Sequence, residues 1–458
     1  MFKPKHIHFI GIDGISMSAL ALIMQKRGHK VSGSDLKHSP LTARLGERGA
    51  CLYQGHASAY VEGADMVVYT AAIKPDNPEL VRARAMGVPV LSRAEFLGAL
   101  MGEAKVGIAV SGSHGKTTTT ALLGLMLEQA DKNPTVLIGG ELDALGGNVK
   151  VGGGEFFVAE ACEYVETFLA LKPHVGIILN IDADHLDYFG DLSHVVAAFR
   201  RFVGVLPPDG LLVACHDDAN VREILKFTPC QAVTYGLMQG GDYFATNIAL
   251  QAEGGSSFDV YARGTYRGRV CLKVNGRHNI LNSLACLAVG DYLGLPWASM
   301  SETLRTFVGT HRRFELKACF NGATVIDDYA HHPTEIIATL SAARDIAKGR
   351  IITVFQPHTY TRTKSLLSDF AKSFAEADEV IIVPIYAARE KDIYGVSSLD
   401  LVAQISLVHA NVRYCGSLAA AASYLATHLQ PDEMLITMGA GDVHMVGEML
   451  LGEGDAPK

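Results

Sequence analysis

The amino-acid sequence predicts an α/β protein of three domains, and two observations support this. Three times along the chain, an apolar, strand-like run leads into a glycine-rich or polar turn and then into a segment with helical spacing, beginning near Ile7, Val106 and Ala323. That succession is typical of a strand-loop-helix unit. The chain has 458 residues, 48% of them hydrophobic, which is enough for several domains with separate cores. We place the domains at residues 1–104, 105–311 and 312–458.

The first unit has a strand at residues 7–10 and a turn at residues 11–16 that leads into a helix. This turn resembles a weakened dinucleotide-binding fingerprint and supports a nicotinamide-dependent dehydrogenase as a rival function. Asp13 would repel a pyrophosphate unless it is turned away, and Ser16 replaces a glycine that permits close helix packing. A helix-entry turn with no ligand is the other open interpretation. The candidate contacts are Gly11, Gly14, Ile15, Ser16 and, at the end of the next strand, Asp35.

The second unit carries a phosphate-binding pattern between its strand and its helix. Glycines let backbone N–H groups face phosphate oxygens, Lys116 adds a charge, and Thr117 offers a hydroxyl to magnesium. The helix N-terminus adds a partial positive charge. Val110 stands at the first glycine of the longer G-x-x-x-x-G-K-[ST] pattern, so a chance turn is the alternative. The candidate triphosphate contacts are Gly112, Ser113, His114, Gly115, Lys116, Thr117 and Thr118.

Polar groups follow the next predicted strands of the middle region. Ligands of open α/β sheets gather beyond the carboxyl ends of strands, so Glu160 and His185 would face the triphosphate. Glu160 suits magnesium, and His185 suits a second cation or a phosphate oxygen, although either is also a common cap or turn residue. Asn279 and Asn282 would present two amides to a base edge, unless Asn279 simply caps a helix. Residues 258–261 and 270–274 alternate like antiparallel strands, which predicts a mixed sheet.

The third unit repeats strands that end in polar turns, at residues 325–326, 351–355, 380–383 and 434–438. Two of these turns carry histidine, tyrosine or arginine side chains. A guanidinium can clamp both oxygens of a carboxylate, so the turns predict a pocket for a small carboxylate. Solvated loop polarity is the alternative for any single histidine. The candidate pocket residues are Tyr329, His331, His358 and Arg362.

Composition excludes several classes of protein. The net charge is −8 and no Lys/Arg-rich run occurs, so nucleic acid and anionic membranes are not expected partners. The N-terminus has no signal-type apolar region, and no run approaches the roughly 18 apolar residues of a spanning helix. Eight cysteines without a C-x-x-C pair argue against a zinc site and a disulfide framework. We therefore expect a soluble, cytoplasmic protein.

In this order, the motifs resemble those of the Mur ligases of peptidoglycan precursor synthesis, across nearly the whole chain. The resemblance implies a Rossmann-like N-terminal domain that binds a UDP-sugar and a central P-loop-type mononucleotide-binding α/β domain with a mixed sheet. It also implies a Rossmann-like C-terminal domain that binds an amino acid. The segments that carry the likeness are residues 112–118, 160–161, 180–187, 276–282, 311–315, 327–333 and 356–363.

The family likeness implies an ATP-dependent carbon–nitrogen ligase that requires Mg²⁺. The pattern is most similar to members that join L-alanine to the lactyl carboxylate of UDP-N-acetylmuramate through an acyl phosphate, releasing ADP and phosphate. By position, Lys116, Glu160 and His185 would be catalytic, and Thr117 would share the metal with Glu160 and His185. The other matching positions are Asn279, Asn282, Arg313 and Asp328 for ATP, the turn that begins at Gly11 for UDP, and Tyr329, His331, His358 and Arg362 for alanine.

Some positions depart from the family pattern. Asp13 and Ser16 stand where glycine is usual, and Thr359 stands where many relatives have arginine. Ligases of later steps carry a carbamylated lysine, but no lysine occurs between Lys172 and Lys226, which favours the alanine-adding members. The murein-tripeptide recycling ligase is the nearest rival, although it lacks the His-x-Tyr-Thr-Arg segment at residues 358–362. A nicotinamide-dependent oxidoreductase would explain only the first unit. We expect a monomer or a homodimer.

Overall fold

A computed structural model describes residues 5–37, 39–251 and 254–452, which form three β-sheets with associated helices. Each sheet uses a separate stretch of the chain, which confirms the three-domain α/β prediction. The boundaries near residues 104 and 312 stay a prediction. Residues 1–4, which bear on the expected lack of a signal segment, lie outside the described ranges. Within those ranges, no helix is long and apolar enough to cross a membrane.

The N-terminal sheet is fully parallel. Its strands are β1 (His6–Ile10), β2 (Lys30–Asp35), β3 (Cys51–Gln54), β4 (Met66–Tyr69) and β5 (Val90–Ser92). They lie in the order β3-β2-β1-β4-β5. The associated helices are α1 (Ile15–Lys26), α2 (Pro40–Glu47), α3 (Pro78–Ala85) and α4 (Arg93–Glu103). The central strand β1 ends at the turn that leads into α1, so this turn lies at the carboxyl edge where parallel sheets bind ligands.

The central sheet has ten strands. These are β6 (Val106–Ser111), β7 (Thr135–Leu142), β8 (Gly147–Lys150), β9 (Phe156–Glu160), β10 (Val175–Ile178), β11 (Leu211–Cys215), β12 (Gln231–Gly236), β13 (Tyr243–Leu250), β14 (Ser256–Ala262) and β15 (Thr265–Leu272). Their order is β15-β14-β13-β12-β11-β10-β6-β9-β7-β8, with antiparallel pairing only for β7–β8, β13–β14 and β14–β15 among the described residues. The expected mixed sheet is therefore confirmed, although β15 ends at Leu272, two residues earlier than predicted.

The helices of this domain are α5 (Lys116–Gln129), α6 (Leu186–Phe189), α7 (Leu192–Val203), α8 (Ala219–Ile224), α9 (Arg277–Tyr292) and α10 (Trp297–Thr306). Short 3₁₀ helices occur in this domain at Asp143–Leu145, Tyr164–Ala170 and Leu225–Phe227, and in the N-terminal domain at Ser58–Val61. One apolar cluster joins the N-terminal and central domains, because Phe9, Met101, Phe157 and Phe168 belong to it together. This shared core fixes the N-terminal turn relative to the phosphate loop.

The C-terminal sheet has six strands. They are β16 (Glu315–Phe320), β17 (Ala323–Asp328), β18 (Ile351–Phe355), β19 (Glu379–Ile382), β20 (Val412–Tyr414) and β21 (Met434–Met438), in the order β16-β17-β21-β18-β19-β20. The helices are α11 (Pro333–Arg344), α12 (Tyr360–Ser365), α13 (Leu367–Lys372), α14 (Ser398–Ile405), α15 (Leu418–His428) and α16 (His444–Leu451). Only β16 pairs antiparallel in the described part of this sheet. The turns after β17 and β18 lie at one edge, which brings the two predicted pocket segments together.

Candidate functional site

The phosphate loop joins β6 to α5 in a conformation that its two glycines permit. Gly112 has a φ of 137° and Gly115 a φ of 86°, both outside the range that side chains favour. A Cβ atom at Gly112 would lie 2.9 Å from the Cβ of Leu179, and one at Gly115 would lie 2.8 Å from Oδ1 of Asn282. In the described part of the chain, no side chain caps the N-terminus of α5. Its backbone N–H groups are therefore available to an anion.

Lys116 folds back onto this loop and pairs with a buried carboxylate. Its Nζ donates to the carbonyl oxygens of Gly112 at 2.5 Å and Ser113 at 3.1 Å, and it lies 3.0 Å from Oε2 of Glu163. The Glu163 side chain is 1% exposed. Burial lowers the pKa of Lys116, but interactions with neighbouring groups, led by the Glu163 carboxylate, together outweigh burial and hold that pKa above its ordinary value. Lys116 is thus a full positive charge. The sequence analysis did not identify Glu163. The one feature that could have indicated it is its position three residues after Glu160.

Oxygen ligands surround the phosphate loop at the carboxyl edge of the sheet. Glu160 ends β9, and its Oε1 accepts a hydrogen bond of 2.6 Å from the Gly139 amide. Ligand atoms of Glu163, Asp184 and His185 lie within 4.8 Å of one another. Carboxylate and hydroxyl oxygens are the ligands that Mg²⁺ prefers, so the donor set fits this ion. The residues that could hold it are Thr117, Glu160, Glu163, Asp184 and His185.

His114 links the phosphate loop to the C-terminal domain. Its Nε2 lies 2.9 Å from Oδ2 of Asp182, and its Nδ1 lies 3.2 Å from Oε1 of Glu335 on α11. Burial lowers the pKa of His114, but hydrogen bonds to the two carboxylates raise it to about 9. The imidazolium therefore bridges two domains at neutral pH. Glu335 was also missed by sequence reasoning, although its capping box with His332 marks it as fixed at the start of α11.

A cavity of about 440 Å³ opens beside the loop, between the central and C-terminal domains. Asn279 and Asn282 line it together, with Nδ2 of Asn282 donating to Oδ1 of Asn279 at 3.1 Å. Arg313 also lines the cavity, with its guanidinium 5.0 Å from the ring centre of Tyr329. Burial raises the pKa of Asp328 to about 6. The four predicted ATP contacts outside the loop, Asn279, Asn282, Arg313 and Asp328, thus share one cavity that is large enough for a nucleobase.

The predicted carboxylate pocket is assembled from the turns after β17 and β18. The His331 ring lies 5.3 Å from that of Tyr329 and 5.6 Å from that of His358. Burial lowers the pKa of His331 to about 3 and that of His358 to about 4, so both imidazoles are neutral at pH 7. Nη2 of Arg362 donates to Oδ1 of Asp184 at 2.6 Å, whereas its buried Nη1 has no partner among the described residues. Asp184 had no assigned role in the sequence prediction.

The N-terminal turn explains how Asp13 is tolerated. Oδ1 of Asp13 accepts hydrogen bonds from the Ser39 amide at 2.9 Å, the Ser39 hydroxyl at 2.6 Å and the Thr42 hydroxyl at 2.9 Å. Its carboxylate is therefore turned away from the ligand side and toward the N-terminus of α2. The Asp13 amide donates to Oδ2 of Asp35 at 2.9 Å. Gly11 and Gly14 line a second cavity, of about 540 Å³. Ser16 accepts a hydrogen bond of 3.3 Å from Arg93 instead of lining that cavity.

A third cavity, also of about 540 Å³, unites side chains of all three domains. Ile15 contributes from the N-terminal turn, Lys116 and Glu160 from the central domain, and Tyr329 and His331 from the C-terminal domain. Gly14 lines the N-terminal cavity and its neighbour Ile15 lines this one, so both cavities border the same turn. His358 and Arg362 do not line it. The arrangement allows one extended ligand to reach from the N-terminal cavity to the phosphate loop.

Comparison with known proteins agrees with this geometry. The chain matches the models described as Mur ligase family, catalytic domain, at residues 6–105, Mur ligase middle domain at 110–290, and Mur ligase, glutamate ligase domain, at 312–441. It is 50% identical over 449 residues to the UDP-N-acetylmuramate–L-alanine ligase of Alkaliphilus metalliredigens, covering 98% of this chain and 97% of that protein.

Solved structures give the same result. The UDP-N-acetylmuramate-alanine ligase of Thermotoga maritima superposes with a TM-score of 0.80 at 31% identity, with 98% of each chain covered. A murein peptide ligase from Psychrobacter arcticus shares the fold, with a TM-score of 0.71 at 24% identity and 98% coverage of each chain. The three domain matches and the full-length relatives lead to one conclusion. This chain belongs to the Mur ligase family.

Proposed function

We propose that this protein is an ATP-dependent ligase that joins L-alanine to the lactyl carboxylate of UDP-N-acetylmuramate in peptidoglycan precursor synthesis. The observation that carries the proposal is the cavity shared by all three domains, in which Ile15, Lys116 and His331 face one space. The relative named as an L-alanine-adding ligase, which aligns over 97% of its length, supports the same substrates. A nicotinamide-dependent oxidoreductase is not favoured, because it gives no role to the phosphate loop.

In the first step, a lactyl carboxylate oxygen attacks the γ-phosphorus of ATP. The bond from that phosphorus to the β,γ-bridging oxygen breaks, which gives an acyl phosphate and ADP. Two anions must meet, so positive charge is needed where they do. Lys116 supplies it once ATP has replaced the carbonyl oxygens of Gly112 and Ser113 as acceptors for its ammonium. The uncapped N-terminus of α5 and the glycine conformations place backbone N–H groups around the phosphates.

In the second step, the neutral amine of L-alanine attacks the acyl carbon. The carbon–oxygen bond to phosphate breaks, inorganic phosphate leaves, and the amide nitrogen releases a proton to solvent. L-alanine arrives in its ammonium form, which neutral His331 and His358 do not repel, and its ammonium loses one proton to solvent before the attack. Arg362 suits its carboxylate. Arg362 must then exchange Asp184 for the substrate. Polar contacts join the C-terminal domain to the central one through His114 and Arg362. Movement of the C-terminal domain at these contacts would bring the amine to the acyl phosphate.

We further propose that Mg²⁺ is held by Thr117 and Glu160, with His185 beside them, and that Glu163 and Asp184 add oxygen ligands. The ion would neutralise phosphate charge as it shifts toward the leaving oxygen. Asn279 and Asn282 are proposed to bind adenine, and Arg313 and Asp328 to touch ATP across the domain cleft. The reaction is proposed to take place in the cytoplasm, where ATP is supplied.

The deciding experiment measures phosphate release from ATP by the full chain with UDP-N-acetylmuramate present. L-alanine, D-glutamate and murein tripeptide are each added alone. We expect L-alanine to stimulate release, with one amide formed for each phosphate. Stimulation by the tripeptide alone would replace this function with that of a recycling ligase. ATP binding without release in any arm would leave a nucleotide-binding protein without ligase activity.

A further inference from the structure

A loop of the C-terminal domain reaches the N-terminal cavity. Arg389, in the segment between β19 and α14, lines this cavity together with Gly11, Gly14 and Lys74. Arg389 is more than 300 residues away from the turn in sequence, and the sequence of the first domain gives no indication that a residue of the C-terminal domain lies at this cavity. The cavity is therefore closed by two domains.

The cavity presents unpaired positive charge and free backbone donors. Neither Arg389 nor Lys74 forms a salt bridge or side-chain hydrogen bond within residues 5–37, 39–251 and 254–452. No side chain of the described residues caps α1, so the N–H groups of its first turn are open toward the turn that ends at Gly14. Of the two acidic residues in the wall, Asp35 already accepts hydrogen bonds from the amides of Asp13 and Leu36, and Asp76 is exposed. Neither carboxylate pairs with Arg389 or Lys74 among the described residues, so both cations can meet an anionic ligand.

Contacts with the amino-acid pocket hold the loop of Arg389 in place. The Thr361 amide donates to Oε2 of Glu390 at 3.0 Å, and the Thr361 hydroxyl donates to Oε1. The Thr359 amide donates to the carbonyl oxygen of Tyr386 at 2.9 Å. Ala388 adopts a φ of 52°, a conformation that the surrounding contacts must maintain. Arg389 is therefore carried on a loop that is fixed to the segment of Arg362.

We propose that Arg389 binds the diphosphate of the UDP-sugar opposite the N-terminus of α1. This inference rests on the proposed function, and it deepens that function by adding a residue of the C-terminal domain to the nucleotide-sugar site. A guanidinium donates two parallel hydrogen bonds to phosphate oxygens from one planar group, whereas a lysine acts as a point charge, so Arg389 would add a bidentate contact to those of the backbone N–H groups. The diphosphate then draws the C-terminal domain toward the N-terminal one, and the nucleotide-sugar site is complete only when both are in place.

The first test compares binding of UDP and of uridine by Arg389→Ala and by the wild-type chain, using isothermal titration calorimetry at fixed ionic strength. Loss of a charge-assisted contact should weaken UDP binding by about ten- to a hundredfold and leave uridine binding unchanged. Lys391→Ala is the matched control, because Lys391 is an exposed cation of the same loop that does not line the cavity. UDP binding within twofold of wild type in Arg389→Ala would overturn the proposal.

The second test measures turnover. Arg389→Ala should raise the KM for UDP-N-acetylmuramate by a similar factor while the KM for ATP stays the same. Arg389→Lys keeps the charge and serves as a second variant in case Arg389→Ala does not fold. Its KM for UDP-N-acetylmuramate should lie between those of the wild type and of Arg389→Ala. An equal rise in both KM values would contradict a role at the diphosphate. If the wild-type chain binds UDP through Arg389 but releases no phosphate, the proposed function fails and this inference stands. If the chain turns over but does not bind UDP, the proposed function stands and this inference fails.

Discussion

Replacing Lys116 by alanine should damage the folded state as well as the reaction, because its ammonium neutralises Glu163 in the ligand-free site. The Glu163 side chain is 1% exposed, and its Oε2 lies 3.0 Å from Nζ of Lys116. Removing one partner of a buried ion pair costs about 3–5 kcal/mol. Nε2 of His185 lies 3.8 Å from Oε1 of Glu163, so the carboxylate keeps a polar neighbour after the substitution. We therefore expect the free energy of unfolding to fall by about 3 kcal/mol, at the lower end of that range.

A double variant separates the two effects. Lys116→Ala combined with Glu163→Gln leaves no unpaired charge, so its free energy of unfolding should return to within about 1 kcal/mol of wild type. Its rate of phosphate release should stay low, because the cation that faces the γ-phosphate is still missing. Loss of one such transition-state contact typically lowers kcat by about 100-fold or more.

The chain contains a suitable probe for this measurement. Its single tryptophan, Trp297, lies on α10 and packs against the central core, so its fluorescence follows urea unfolding of that domain. Lys105→Ala is the control, because its ion pair with Glu155 is exposed and its loss should cost less than about 1 kcal/mol. A Lys116→Ala variant with the wild-type urea midpoint would refute the argument from the buried pair. Near-wild-type phosphate release would remove the loop from the reaction.

Three further outcomes are expected. The stability that His114 contributes through Asp182 and Glu335 is complete below pH 6.5 and is lost as pH rises through about 9, because its folded pKa is raised. His114→Asn should reduce the fall of the urea unfolding midpoint with rising pH, measured by tryptophan fluorescence. The same pH dependence as in the wild type would contradict the role of His114 as a link between Asp182 and Glu335. Gly115→Ala should cost about 1–3 kcal/mol of stability in the urea assay and weaken ATP binding, since its Cβ would press on Asn282; wild-type affinity for ATP would count against the loop geometry. Chelation by EDTA should stop phosphate release until Mg²⁺ is restored in excess, and turnover that persists in EDTA would exclude the magnesium site.

The phosphate loop could be predicted from sequence because its signal is local. Strand, glycines, lysine and helix follow one another within a few residues, and each constrains the same short segment. Val110, which breaks the longer pattern, is fully buried inside β6, so the expected glycine position is simply a strand residue here. Several central parallel strands, among them β1, β6, β10, β18 and β21, were predictable for the same reason, since buried strands read as continuous apolar runs, whereas other parallel strands such as β3, β7 and β12 were not predicted.

The partners of the predicted side chains could not be found in this way. Arg362 and Asp184 are 178 residues apart, and His114 and Glu335 are 221 apart, so only the tertiary fold brings them together. The edge strands β16 and β20 are among the strands that were not predicted, because none of their residues is fully buried and neither carries a long apolar run. Arg389 lies in a loop with no recognisable motif. Contacts between domains depend on how complete domains pack, which no local spacing encodes.

The hydrogen bonds of Asp13 have a consequence for how sequences of this kind can diverge. The carboxylate is acceptable beside an anion-binding turn only while Ser39 and Thr42 hold it against α2. A chain that lost both hydroxyls while keeping Asp13 would have its negative charge free to swing back toward the ligand. Relatives with glycine at position 13 are free of that dependence. Across an alignment of relatives, we therefore expect positions 13, 39 and 42 to covary, with a hydroxyl residue at position 39 or 42 wherever position 13 is aspartate.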